Sequence, residues 1–183
     1  SRAVHLYRNP FDNAVSRYHL AMKQLILKND TEQLSRYNNG KEGFRLFCKE
    51  MIDEKYYKQA VKSKSIDDSL LKVIRVVPCY HEFIRYVQWH NFASSTVQEL
   101  NLPTLVLHYE NYATKFNDTL HSLLHFLGFD DLTLGSAVLK FVDGKSYMSE
   151  YYNISEVKAA QSAMEKLASS NIWDKIKHYF PSP

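Results

Sequence analysis

A short run near the start of the chain carries the residue types of an anion site. Arg8 stands between an apolar segment, residues 3–7, and the pair Asn9-Pro10. The apolar segment favours a buried strand, and Asn followed by Pro favours the start of a helix. Such a junction offers backbone N–H groups and the positive end of a helix to an anion. Ser16 follows Arg8 by eight residues, about two helical turns, and can add its hydroxyl to the guanidinium fork.

The elements that must position these side chains alternate between strand and helix. Apolar spacing predicts a helix from Pro10 to about Lys28 and a later helix after Pro78, with Phe83 and Phe92 facing inward. A second strand is predicted at residues 104–108, directly before Tyr109. Ligands of open α/β sheets bind at the carboxyl ends of the strands, so Tyr109 is a further candidate for ligand contact.

The remaining segments are predominantly polar or helical. Residues 53–72 are predicted to form a loop or a solvated helix, and helices are predicted at 132–141, from a cap at Ser155 to Leu167, and at 173–179. Strands that alternate with long helices indicate an α/β fold with a parallel sheet flanked by helices. Since only two strands are convincing, the other strands are expected upstream of Ser1.

Composition narrows the class of protein. The 183 residues suffice for one domain with a substantial core, and we expect residues 1–183 to belong to a single, partial domain. A net charge of +3 without a basic cluster argues against nucleic acid as a partner. The histidines and cysteines match no metal-binding spacing, so no metal is predicted.

Two motifs in this order resemble those of the sulfotransferases that use 3′-phosphoadenosine 5′-phosphosulfate (PAPS). The run from Tyr7-Arg8-Asn9-Pro10 to Ser16 resembles the segment that binds the 3′-phosphate of the nucleotide. Residues 105–111 resemble the family's strand ending in Tyr-Glu-Asp, with Asn111 in place of Asp. The helix that closes with Phe126-Leu127-Gly128 resembles the helix that follows in those enzymes.

The resemblance implies a fold and a set of binding residues. The fold would be the P-loop-like sulfotransferase fold, in which Arg8 and Ser16 hold the 3′-phosphate and Tyr109 lies near the nucleotide. Lys145 is a further candidate, because Asp143-Gly144-Lys145-Ser146 is the nearest counterpart of an Arg-Lys-Gly triplet that clamps the same phosphate in the cytosolic branch. The missing Arg favours a Golgi carbohydrate or protein sulfotransferase over the cytosolic branch.

The resemblance also implies what lies outside the chain. In the family, a loop that cradles the phosphosulfate and the catalytic base both precede the Arg segment. We therefore expect these two features, and any membrane anchor, upstream of Ser1, and we expect the chain alone to have little turnover.

The two cysteines leave the cellular compartment open. Cys48 and Cys79 would be buried thiols in a cytoplasmic protein and a disulfide in a secretory one. Three glycosylation sequons, beginning at Asn29, Asn117 and Asn153, favour the secretory pathway and hence the Golgi lumen.

The predicted function is transfer of a sulfuryl group from PAPS to a hydroxyl acceptor, for which a glycan is expected. One alternative is a module that binds a nucleotide or a partner without catalysis. Another is a different phosphate-binding α/β enzyme, such as a kinase-like protein.

Overall fold

The computed structural model describes residues 1–63, 66–129 and 146–181. The chain divides into two compact units. The strand unit comprises Ser1–Asn9 and Phe92–Lys145, and the helical unit comprises Pro10–Asn91 and Ser146–Pro183. We describe each unit by itself.

The strand unit contains a parallel pair of strands, β1 (Ala3–Tyr7) and β2 (Thr104–His108). Ala3 pairs with Thr104, and Tyr7 pairs with His108, so both strands end at the same edge. Both strands lie where the sequence predicts them. Together with the many helices they are consistent with an α/β fold, although the described residues contain no further strand of this sheet.

Burial in β1 differs from the expectation that Val4 and Leu6 are buried. Both side chains are exposed, whereas His5 and Tyr7 on the opposite face are buried. Successive side chains of a strand point to opposite faces. Among the described residues, only the face with His5 and Tyr7 is well covered.

Helices complete the strand unit. The two helices that follow β2 are α7 (Asn111–Thr114) and α8 (Phe116–Leu127). Gly128 ends α8 with a left-handed φ of 85°, and its N–H donates to carbonyls of the last turn, as the Phe-Leu-Gly motif predicts. The end of α6 (Tyr80–Glu99) also belongs to this unit.

The helical unit begins with α1 (Pro10–Leu27), which agrees with the predicted span to within one residue. The other helices of this unit are α2 (Thr31–Tyr37), α3 (Gly40–Phe47), α4 (Glu54–Ser63), α5 (Asp68–Ile74), the first part of α6, α9 (Met148–Tyr151), α10 (Ile154–Leu167), α11 (Ser170–Ile176) and a 3₁₀ turn at Lys177–Tyr179. A π-helix at Cys48–Asp53 connects α3 to α4. Residues 53–72, predicted as a loop or solvated helix, contain α4 and the first part of α5.

Phe11 lies in the aromatic core of the helical unit. Its ring centroid is 4.9 Å from those of Phe83 and Tyr152 and 5.8 Å from that of Phe180, each in an edge-on arrangement. Edge-on aromatic pairs add to the stabilisation that burial provides. These contacts join the first turn of α1 to α6 and to the C-terminal part of the chain.

Cys48 and Cys79 form a disulfide, the secretory one of the two alternatives. The bridge joins the start of the π-helix to the residue before α6. The backbone N–H of Cys79 also donates to Asp53 Oδ2 at 2.9 Å. The disulfide thus closes a segment that includes all of α4 and α5.

Two sequence predictions about these helices are wrong. Phe92 was expected inward but its side chain is 71% exposed, because nine residues after Phe83 a helix has turned to the opposite face. Ser155 does not cap α10. Asn153 does, with Glu156 completing a capping box, since the helix starts at Ile154. The helix predicted at 132–141 lies outside the described residues.

Candidate functional site

Backbone contacts hold the two strand ends together in the strand unit. The N–H of Tyr109 donates to the carbonyl of Tyr7 at 2.8 Å, which continues the pairing by one residue. The N–H of Asn9 donates to Glu110 Oε1 at 2.7 Å. A carboxylate that accepts a backbone N–H makes a stronger hydrogen bond than a neutral group. Glu110 therefore braces the segment that carries Arg8.

Arg8 and Tyr109 come together at this edge. The guanidinium carbon of Arg8 lies 4.6 Å from the centroid of the Tyr109 ring, and both residues are half-buried. A cation over an aromatic face is attracted to it, and the flat guanidinium is suited to stacking. The contact orients the fork of Arg8, whose N–H groups match the oxygens of a phosphate. Two of the predicted site residues are thus neighbours.

A stack of rings supports this edge from within the sheet. Tyr7 lies between His5 and His108, with ring centroids 4.5 Å and 5.5 Å away. Burial raises the pKa of Tyr7 to about 12 and lowers the pKa of His5. The rings of Tyr7 and His5 are therefore uncharged near neutral pH. Arg8 comes directly after this stack in the sequence.

Ser16 lies half-buried on α1, in the helical unit. It lines a cavity of about 540 Å³ together with His19, Lys23 and Tyr147. The N–H of Tyr147 donates to Asp12 Oδ1 at 2.7 Å, and the Tyr147 ring is 5.2 Å from that of His19. The chain after residue 145 therefore returns to the first turns of α1. Lys145 itself lies outside the described residues.

The helical unit contains a charged network around the buried residues His81 and Glu82, which the sequence pattern does not predict. Glu82 pairs with Arg17 at 2.8 Å through one oxygen and with His81 at 2.9 Å through the other. His81 Nδ1 lies 3.4 Å from Asp53 Oδ1. Both contacts of His81 are at ion-pair distance. Among the described residues, however, Asp53 Oδ1, His81 Nδ1 and Glu82 Oε1 have no hydrogen-bond partner of acceptable geometry. We therefore assign their attraction to charge.

The pKa values in this network follow from burial and charge. Burial raises the pKa of Asp53 more than His81 and the backbone lower it. Burial by itself lowers the pKa of His81, but the interactions with Asp53 and Glu82 raise it above its usual value. Burial raises the pKa of Glu82, yet His81 and Arg17 bring it below its usual value. The sequence does not show that these residues are close in space, because Arg17 and Glu82 are 65 residues apart along the chain.

Within residues 1–63, 66–129 and 146–181, no three or more His, Cys, Asp or Glu side chains form a group that could hold a metal ion. No helix in the described ranges is both long enough and apolar enough to cross a membrane.

The strand unit therefore presents an oriented arginine at the carboxyl edge of its two parallel strands. The chain matches the family model of the sulfotransferase domain over residues 1–182. It therefore belongs to the sulfotransferase-domain family, as the two motifs indicate. No curated protein and no solved structure matches it significantly.

Proposed function

We propose that the chain forms the nucleotide-anchoring part of an enzyme that transfers a sulfuryl group from PAPS to a hydroxyl of a carbohydrate. The single observation that carries this proposal is the stacking of Arg8 on Tyr109 at the strand edge, in a chain that belongs to the sulfotransferase-domain family. The donor set suits the nucleotide, since a guanidinium fork and a serine hydroxyl are both donors to phosphate oxygens. Arg8 and Ser16 would bind the 3′-phosphate, and Tyr109 the adenine.

The reaction assigns this chain a positioning role. The acceptor oxygen forms a bond to sulfur, the bond between sulfur and the bridging phosphate oxygen breaks, and the acceptor proton passes to a base. The leaving group is adenosine 3′,5′-bisphosphate. Binding its 3′-phosphate at a fixed place aligns sulfur with the acceptor, and such alignment can account for much of the catalysis. We assign the base to no residue of the described chain.

The compartment that we propose is the Golgi lumen. The Cys48–Cys79 disulfide supports it, because disulfides persist in oxidising compartments and are rare in the cytoplasm. The carbohydrate acceptor is supported by the sequence 143–146, which lacks the Arg of the cytosolic triplet. An assay of sulfuryl transfer from labelled PAPS to a panel of neutral glycans tests the acceptor. Nucleotide binding without transfer to any acceptor would instead favour a non-catalytic binding module.

Calorimetric titration with adenosine 3′,5′-bisphosphate tests the nucleotide site. The protein is titrated as wild type and as Arg8→Ala. We expect saturable binding that weakens at least tenfold in the variant, a loss of about 1.4 kcal/mol. Arg2→Ala is the matched control, because Arg2 lies in the same unit and also contacts an aromatic ring, that of Phe126. Absence of binding, or equal binding by Arg8→Ala, would overturn the proposal.

A further inference from the structure

Three polar side chains follow one face of α1 from Ser16 onward. Ser16, His19 and Lys23 stand at positions i, i+3 and i+7, a spacing that places them on the same side of a helix. All three line the cavity of about 540 Å³ that Tyr147 also lines. His19 and Lys23 therefore add two polar groups to the cavity, beside the Ser16 hydroxyl that the family motif supplies.

His19 is held in place on this face. Its ring lies 5.2 Å from that of Tyr147 and 6.0 Å from that of Tyr151. Tyr147 is in turn fixed by the hydrogen bond from its N–H to the carboxylate of Asp12, which is buried. The imidazole is thus confined between α1 and the segment that leads into α9.

The charges around His19 decide its protonation. Burial lowers the pKa of His19, Glu150 raises it and Lys23 lowers it again, and the net shift is downward. The imidazole is therefore neutral near pH 7 and has one N–H to donate. Lys23 lines the same cavity as the ring.

Lys23 supplies the positive charge. Its side chain is exposed, and side chains of an α-helix tilt toward the N-terminus, which here means toward His19 and Ser16. A hydroxyl, an imidazole N–H and an ammonium group in one row can all donate to an anion with several oxygens. Glu150 is the carboxylate that acts on His19 from the facing segment.

We infer that His19 and Lys23 extend the 3′-phosphate site of Ser16 and make the protein prefer nucleotides that carry a 3′-phosphate. This inference rests on the proposed function, because Ser16 locates the phosphate. In this arrangement, Lys23 on α1 supplies a positive charge to the 3′-phosphate, which the Arg of the triplet supplies in the cytosolic branch. His19 adds a donor whose orientation is set by Tyr147.

Calorimetric titration with two nucleotides tests the inference. Adenosine 3′,5′-bisphosphate and adenosine 5′-monophosphate differ by the 3′-phosphate alone. We expect Lys23→Ala to weaken binding of the bisphosphate about tenfold and His19→Ala to weaken it several-fold, with little change for the monophosphate. His19→Asn, which retains a neutral N–H donor, should recover part of the loss. Lys28→Ala is the matched control, because Lys28 follows α1 and does not line the cavity.

The outcomes separate this inference from the proposed function. If Arg8→Ala weakens binding while Lys23→Ala and His19→Ala do not, the inference is wrong and the proposed function stands. If the two variants weaken both nucleotides equally, the preference for the 3′-phosphate does not come from this face and the inference is also wrong. If the wild-type protein binds neither nucleotide, the proposed function fails, and the inference fails with it.

Discussion

The strand unit and the helical unit hold their candidate residues by different means. Arg8 in the strand unit is positioned by close neighbours along two paired strands: Tyr109 under its guanidinium and Glu110 on the adjoining backbone. Ser16 in the helical unit stands on a helix that is fixed by contacts with distant parts of the chain, such as Phe11 with Phe180 and Asp12 with Tyr147. In the strand unit, a few local contacts position the guanidinium of Arg8. In the helical unit, the position of Ser16 depends on the packing of α1 in the core.

The largest effect is expected from the aromatic core of the helical unit. Phe11→Ala removes a fully buried ring that contacts Phe83, Tyr152 and Phe180. We expect the free energy of unfolding in urea to fall by about 3–5 kcal/mol, because the variant loses buried apolar area and leaves a cavity. Phe92→Ala is the matched control and should stay within about 0.5 kcal/mol of the wild type, since Phe92 is exposed. Equal losses would contradict the placement of both rings.

Removal of the disulfide should have the next largest effect. The bridge closes a loop with a sequence separation of 31 residues. The double variant Cys48→Ala, Cys79→Ala should lose about 3 kcal/mol, because its unfolded chain is less constrained. Hydrogen exchange should show the lost protection in α3 and the first turns of α6, with little change in β1 and β2. A urea midpoint that reductant does not change in the wild type would show that the bridge is absent.

A smaller effect is expected from Glu110, whose carboxylate accepts the Asn9 N–H in the strand unit. Glu110→Ala removes the acceptor of the Asn9 N–H, and we expect a loss of stability of about 1 kcal/mol together with weaker binding of adenosine 3′,5′-bisphosphate. Glu110→Gln retains an acceptor and should recover most of both. If Glu110→Gln were instead inactive in sulfuryl transfer while it binds the nucleotide normally, Glu110 would act in the chemistry and the bracing role would be wrong.

The smallest effect concerns the pH dependence of the helical unit. The pKa of His81 is raised in the folded state, so the folded protein binds this proton more tightly than the unfolded chain does. Its stabilisation is present below pH 6.5, the ordinary pKa of His81, and is lost as the pH rises through the raised value. The difference in free energy of unfolding between wild type and His81→Gln should therefore be largest below pH 6.5 and shrink as the pH rises above it. A difference that grows with pH would contradict the proposed charge network.

Local signals account for what could be predicted. The strands, the span of α1 and the Gly128 terminus follow from side-chain types within a few residues. The errors arose where a pattern was ambiguous. Phe92 is an apolar residue on the same helix as Phe83, but it lies on the opposite face. Ser155 has the side chain of a cap, but Asn153, two residues earlier, caps the helix.

Long-range partners could not be predicted from spacing. The contact of Asp12 with Tyr147 joins residues 135 apart, and the network of Asp53, His81 and Glu82 with Arg17 depends on the packing of three segments. The sequence leaves the disulfide as one of two alternatives, because the presence of two cysteines does not show the distance between them. Ser16 was a sequence candidate, but only the fold shows which side chains share its cavity.

The most direct test of the central claim asks whether Arg8 and Ser16 bind the same phosphate. Affinities for adenosine 3′,5′-bisphosphate are measured by calorimetry for the wild type, Arg8→Ala, Ser16→Ala and the double variant. Residues that share one ligand group are expected to be coupled, here by at least about 0.5 kcal/mol. We predict that the double variant loses less affinity than the sum of the two single losses. Losses that add fully, or single variants that bind like the wild type, would contradict a shared 3′-phosphate site.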